Sequence, residues 1–539
     1  MLTFFAARRR WLIAGTLAGT LAVVGVATAA ISGVQLNPFG TSQVGQQADG
    51  RILLPDNQWI SPLGERTTFS AETVGSAISP DGTKVAVETG GLAGSMALQI
   101  VDAASGTILQ SFGGRGVAAP IYSPDGTALY AADSTAVEGS TGTGSILKYT
   151  VGPNGLITDP TSPQTIALST GDYPYGLALS PDGTRLYAAL SASNKLAVID
   201  TATDQVMNKI PVGNAPADVA LVGDKAFVSN RGGRPAAAGD TTNNSDGTQV
   251  VSDPVTGAST TGTVSVVNLS TGAVTDTIKV GLQPASLTVH DGSVFVTNTN
   301  SDTVSIIDGA SDKVTQTFNV EPLPGSTVGA SPNSVAFSGP NTLLVSVGRD
   351  NAIAQFRYSG PRAPVHYEGL IPTDWDPNQV QYDAKLSKVI VSNQQGLGTD
   401  GAAQSFLIKG TLTSFSPPTN QALGTLTRRV FADNGWDHLN AAGHGKASGN
   451  HGRLPNGRLP AIPARLGQRS AIKHVFLIIK ENRTYDQLLG DIGKGDSDPA
   501  DADFGAQVTP NQHSLSNTFS LFDNFYDDGM VSADRKSVV

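Results

Sequence analysis

The 539-residue chain has no cysteine, which excludes disulfides, thiolate nucleophiles and Cys-ligated zinc and leaves His, Asp, Glu, Asn, Ser and Thr to carry any chemistry. Charge is also scarce, at 15% of residues against the roughly 25% usual for globular chains. What charge there is runs acidic, with 35 basic and 45 acidic side chains and a net charge of -10. A phosphate backbone would be repelled, no local basic stripe compensates, and nucleic acid is not an expected partner. Gly 61 and Pro 31 make the chain turn-rich and β-leaning, and its length suggests about three or four domains.

Arg8, Arg9 and Arg10 precede an apolar run from Trp11 to Ile31, and Ala27-Thr28-Ala29 supplies small residues suited to a signal peptidase before Ala30. Residues 1–30 therefore read as a signal peptide or an N-terminal anchor, followed by an extension over 31–65. The protein is expected to be exported and to be extracellular, periplasmic or attached to the cell surface. Retention would anchor it in the membrane through residues 11–31, a run just long enough at about 1.5 Å per residue for a bilayer core of about 30 Å.

From residue 66 the chain repeats itself. Ser79-Pro80-Asp81-Gly82, Ser123-Pro124-Asp125-Gly126 and Ser180-Pro181-Asp182-Gly183 each lie between short apolar runs; proline followed by Asp-Gly presets a tight turn, so each copy reads as a β-hairpin. A second hairpin signature recurs at Val101-Asp102, Ile199-Asp200, Val267-Asn268 and Ile307-Asp308, followed four positions on by Gly106, Asp204, Gly272 or Asp312. Two different hairpins per period make four strands. Once the polar stretch Arg231 to Gly262 is set aside as an insertion without apolar periodicity, residues 66–415 accommodate about seven units of roughly 40 to 45 residues, which predicts a seven-bladed β-propeller.

The strands also carry Phe227-Val228-Ser229-Asn230, Phe295-Val296-Thr297-Asn298 and Val391-Ser392-Asn393, with Val212-Gly213-x-x-Pro216 and Val280-Gly281-x-x-Pro284 before the first two. These residues resemble the YVTN (YncE-like) β-propeller repeats. The resemblance implies a scaffold and leaves the propeller's ligand unknown. Its two histidines, His290 and His366, are isolated, and the acidic residues of the Asp-Gly turns serve backbone geometry. Arg231-Gly232-Gly233-Arg234 and the insert after it are the one candidate binding face, against the alternative of a solvated loop.

Residues 416–470, rich in Pro, Gly and Asn, read as a linker with a short helix over 426–433. His438, His444 and His451 lie in it at spacings that fix no metal geometry. From Ile472 to Lys480 the chain is almost continuously apolar, which predicts a strand buried in a parallel sheet, followed by a polar turn at Glu481-Asn482-Arg483-Thr484 and a helix through Tyr485, Leu488 and Leu489. Glu481 and Asn482 would then stand at the carboxyl end of the strand, where α/β enzymes hold ligands. A carboxylate and an amide oxygen are hard donors for a divalent ion; alternatively Asn482 caps the helix and Glu481 is solvated. The acidic run Asp496 to Asp503 lacks the ligand spacing of an EF-hand and reads as a solvated loop.

Ile472-Lys473-His474-Val475, Glu481-Asn482-Arg483-Thr484-Tyr485-Asp486, Gly490-Asp491, Val508-Thr509-Pro510-Asn511-Gln512-His513 and Phe525-Tyr526-Asp527-Asp528-Gly529 resemble the opening of the bacterial phosphoesterases of the alkaline phosphatase superfamily, which include phospholipase C and acid phosphatase types. The resemblance implies an α/β fragment over 471–539, a phosphoester substrate, a catalytic divalent metal ion on Glu481 and Asn482, and Ser532 as the phosphoryl-accepting nucleophile. After Asp534 the family continues Gly-His-Asn-Trp, whereas this chain reads Arg535-Lys536-Ser537-Val538-Val539. The expectation is therefore an incomplete domain, inactive by itself. A non-enzymatic extracytoplasmic propeller that binds a partner is the alternative.

Overall fold

The structure, a computed structural model, describes residues 44–54, 58–90, 96–114, 116–133, 144–245, 248–322, 329–398, 408–436, 458–461, 469–476, 478 and 483–523. Seven four-stranded antiparallel sheets follow one another along the chain. Their inner strands are Glu72–Ile78, Ile121–Tyr122, Pro174–Leu179, Asn214–Val222, Pro284–His290, Pro332–Gly339 and Trp375–Asp383. Each inner strand touches the inner strand of the next sheet, and the seventh touches the first. This is a β-propeller.

Position within a sheet sets the burial of each strand. The second strands are buried over most of their length, and Ala128–Asp133 and Ser293–Asn298 over all of it, because sheets cover both faces. Outer strands such as Ile108–Gly113 and Ala273–Val280 are mostly exposed. The ring closes on its N-terminal end: Glu65–Thr68 is the outer strand of the last sheet and pairs with Thr411–Phe415. Arg66 fixes the closure with two hydrogen bonds, 2.7 and 2.6 Å, to the fully buried carboxylate of Asp374, which also accepts from Thr411 Oγ1 at 2.8 Å.

Both hairpin types predicted from the sequence are present. In the three Ser-Pro-Asp-Gly turns the serine hydroxyl donates to the aspartate at 2.6 Å every time, and Gly82, Gly126 and Gly183 have φ of 73°, 72° and 71°, the left-handed region in which glycine has no Cβ penalty. In the second type, Asp102, Asp200, Asn268 and Asp308 accept the backbone N–H three residues on, at 2.8 to 3.0 Å. The repeated asparagine has an equally plain role. Asn230 reaches Thr263 and Ser265 of the neighbouring strand, Asn298 reaches Thr303 and Ser305, and Asn393 reaches Thr411 and Thr413, all at 2.9 to 3.2 Å.

Three expectations are corrected. The insert after Arg231 is not simply a polar loop: Thr242–Ser245 and Thr248–Val251 form a hairpin, with Val250 and Val251 buried and Arg234 paired to Asp240. The helix expected over 426–433 starts earlier and runs Asn420–Asp433 (α1), because Thr419 caps it by accepting from Ala422 N–H. Leu423, Leu426 and Val430 press it onto the sixth and seventh sheets, and Thr427 Oγ1 accepts the N–H of Leu370 at 2.9 Å, so the start of the expected linker packs on the propeller.

The third correction concerns the strand expected from Ile472 to Lys480. Residues 472–476 and 478 carry no strand, and Val475, Phe476 and Ile478 are 82%, 88% and 86% exposed. No strand among the described residues lies beside this run to accept ladder hydrogen bonds, and an apolar run without partners does not become a sheet. The helix expected through Tyr485, Leu488 and Leu489 is present as Tyr485–Leu489 (α2), and Pro510–Thr518 (α3) follows it.

Candidate functional site: the mouth of the propeller channel

The inner strands surround a cavity of about 850 Å³. Register divides it along its length. Pro174, Pro332 and Pro377 stand at or near the start of their inner strands and pair with the end of the second strand, as in Pro174 with Leu190 and Pro332 with Val347. Arg231 also comes from the end of a second strand, so it shares this mouth with Tyr175, Asn333, Asp376, Asn378 and Gln394. Toward the other end the wall turns more apolar, through Ile78, Tyr122, Leu177, Leu287 and Val335.

The guanidinium of Arg231 lies over the ring of Tyr175, 4.4 Å from its centroid, a cation–π contact that orients a planar cation. Its Nε is buried without a hydrogen-bond partner. Asp218, also in the wall, is already engaged: its oxygens accept the N–H of Val219 and of Leu287 in the next sheet, both at 2.8 Å. Burial pushes its carboxyl up to about 6, while those hydrogen bonds, Ser286 and the charge of Arg231 hold it down. Asn378 donates to the carbonyls of Thr73 and Val74, both at 3.0 Å, and its Oδ1 is buried without a partner.

The residues singled out in the sequence are placed unequally. Arg231 does line the channel. His290 stacks on Phe337 with ring centroids 3.6 Å apart and faces the carbonyl of Pro340, which makes it a packing residue. Glu481, Asn482 and Ser532 lie outside the described residues, as do His438, His444, His451 and residues 1–30. The helix after Glu481-Asn482 is present, but its N-cap is Thr484, in a reciprocal capping box with Gln487, so the cap assigned to Asn482 is taken two residues later. The described residues bring no three metal-ligating carboxylate or imidazole groups together. Sequence reasoning missed Tyr175 and Asn378. Each directly follows a proline at or near the start of an inner strand, and that spacing is the signal that would have found them.

No family model matches the chain, and no curated protein matches it. Solved structures similar to it include the hydrazine synthase of Kuenenia stuttgartiensis, at 16% identity over 65% of this chain and 97% of that one with a TM-score of 0.45. U3-55K follows at 11% identity, 65% and 98% coverage and a TM-score of 0.47. The WD40 repeats of RRP9 stand at 12% identity, 66% and 99% coverage and a TM-score of 0.47.

Proposed function

We propose that the chain is the propeller-bearing part of an exported, metal-dependent phosphoesterase, with a seven-bladed propeller of YVTN type as its binding module. The observation that carries this reading is the motif series from Ile472 to Gly529, supported by a capped helix that begins at Tyr485 directly after Glu481-Asn482-Arg483-Thr484. The donor set suits a divalent ion, since a carboxylate and an amide oxygen are hard ligands. Glu481 and Asn482 would hold it, and Ser532 would present the hydroxyl that accepts the phosphoryl group. When bound, the ion would lower the pKa of that hydroxyl and neutralise charge on the phosphoryl oxygens.

The test is hydrolysis of a phosphomonoester and a phosphodiester with and without added divalent metal, on the longest chain the reading frame encodes. Metal-dependent turnover that Glu481→Gln abolishes while the fold is kept supports the reading. Turnover that survives the substitution, or none with any metal, overturns it. The second reading, a non-enzymatic propeller that binds a partner outside the cytoplasm, is favoured by the polar mouth of the channel, where buried hydrogen-bonding groups of Arg231 and Asn378 are left unpaired.

A further inference from the structure

Buried polar groups without partners are costly, so each one in a cavity wall needs an explanation. Three of them belong to residues that line this cavity: Arg231 Nε and Asn378 Oδ1 at the mouth and the Tyr122 hydroxyl toward the other end. At the mouth Arg231 is a cationic donor and Asn378 Oδ1 a neutral acceptor, and an occupant that satisfied both would bring an anionic group and a hydrogen-bond donor. The wall also contains the carboxylates of Asp218 and Asp376. The oxygens of Asp218 accept backbone N–H groups, and its charge attracts that of Arg231 without a hydrogen-bonded ion pair between them. Two carboxylates nevertheless disfavour an occupant that is nothing but anionic. Hydroxyl groups, which donate as well as accept, suit this wall of amides, hydroxyls and carboxylates. The stacking on Tyr175 leaves the edge of the guanidinium as the donor surface, and that edge matches the two oxygens of a carboxylate or phosphate. The volume of about 850 Å³ falls in the roughly 300 to 1,000 Å³ range of small-molecule sites.

We propose that the mouth of the channel binds a small polyhydroxylated anion of the sugar-acid or sugar-phosphate kind, with its carboxylate or phosphate on Arg231 and a hydroxyl on Asn378. This site is separate from the phosphoesterase reading and stands or falls without it, since none of its residues belongs to the C-terminal motif.

Isothermal titration of the whole chain with glucuronate, glucose 6-phosphate, glucose and inorganic phosphate tests the proposal. Glucuronate or glucose 6-phosphate should bind more tightly than glucose or phosphate alone, and which of the two binds tells carboxylate from phosphate as the anion. Arg231→Gln should weaken binding by about tenfold or more, with the thermal melt of the propeller unchanged. Should that variant misfold, Tyr175→Leu keeps the charge and removes the ring that orients it, and it should weaken binding by several-fold. No binding of either anion below about 10 mM, glucose binding as tightly as its anionic relatives, or affinity that the folded variants leave unchanged would each overturn the assignment.

Discussion

In the propeller, apolar strands are covered on both faces by neighbouring sheets: Val85, Leu129, Leu186, Phe227 and Phe295 have no exposed surface. In the segment from 469 to 523, side chains of the same chemistry, Val475, Phe476 and Ile478, are more than four-fifths exposed. The difference is not hydrophobicity. Each propeller strand has hydrogen-bonding neighbours, whereas the run from 472 has none among the described residues. Burial of about 25 cal/mol per Å² stabilises a strand only when a second surface is there to receive it. Order in the C-terminal segment is therefore local, made of short helices and their caps, while order in the propeller is cooperative around a ring.

That comparison breaks most sharply at the point of closure. Arg66 is the only cation hydrogen-bonded to the buried carboxylate of Asp374 among the described residues, and burial already pushes that carboxyl upward against the pull of Arg66. Arg66→Gln strands a charge in the interior, which costs about 3 to 5 kcal/mol. Urea denaturation followed by tryptophan fluorescence should show a loss of that order. Hydrogen exchange in α2 and α3 should not change, because among the described residues the side-chain hydrogen bonds of those helices run within the C-terminal segment. A variant as stable as the wild type would mean that the N-terminal strand is not what holds the ring shut.

A smaller effect tests the repeat chemistry. A Cβ on Gly213 would stand 2.5 Å from Cγ of Asn230 and 2.7 Å from the carbonyl oxygen of Gly233, and one on Gly281 would stand 2.6 Å from Cβ of Asn298. The glycine of each Val-Gly-x-x-Pro stretch thus makes room for the asparagine on the second strand of its sheet. Gly213→Ala should destabilise the propeller by about 1 to 3 kcal/mol. Combined with Asn230→Ala the cost should be less than additive, because the second change removes the side-chain atoms the methyl group meets and leaves only the Gly233 carbonyl oxygen. Full additivity in a double-mutant cycle would separate the two residues.

This coupling also explains why the propeller could be read from the sequence. Its turns, glycines and asparagines each solve a local geometric problem that recurs in every sheet, so the pattern and the structure carry the same information. The strand that closes the ring, the helix on the sixth and seventh sheets and the hairpin in the insert were not legible in that way. Glu65–Thr68 and α1 owe their positions to partners hundreds of residues or a whole sheet away, and Val250 and Val251 are buried by contacts that no periodicity announces. The channel was half legible. Arg231 stood out by composition, but Tyr175 and Asn378 come to the same cavity only when the inner strands are arranged around the ring. The run from 472 failed for the opposite reason, since an apolar pattern specifies a face and not what covers it.

The smallest effect falls within the C-terminal segment and concerns pH. His513 on α3 is nearly buried, with Nε2 2.7 Å from Asp491 Oδ1 and Nδ1 3.0 Å from the Thr509 carbonyl oxygen. Burial works to lower its pKa, but the Thr509 carbonyl and the Asp491 carboxylate outweigh it and the net direction is upward. Asp491 is held below the usual carboxylate value by the N–H of Ala506 and then by His513. A histidine whose folded pKa is raised contributes stability that is fully present below about 6.5 and is lost as pH rises through the folded value. The depressed Asp491 contributes stability that is present above about 3.9 and is lost as pH falls through its lowered value. Local order should therefore be greatest in mildly acidic solution. Amide exchange in α3, corrected for its intrinsic pH dependence, should show protection falling as pH rises above about 6.5. His513→Asn, which carries no titrating proton, should flatten that fall and leave the propeller amides as they were. If the fall persists in the variant, the ion pair does not hold α3 against residues 491–509, and the capping box at Thr484 is left as the main source of order there.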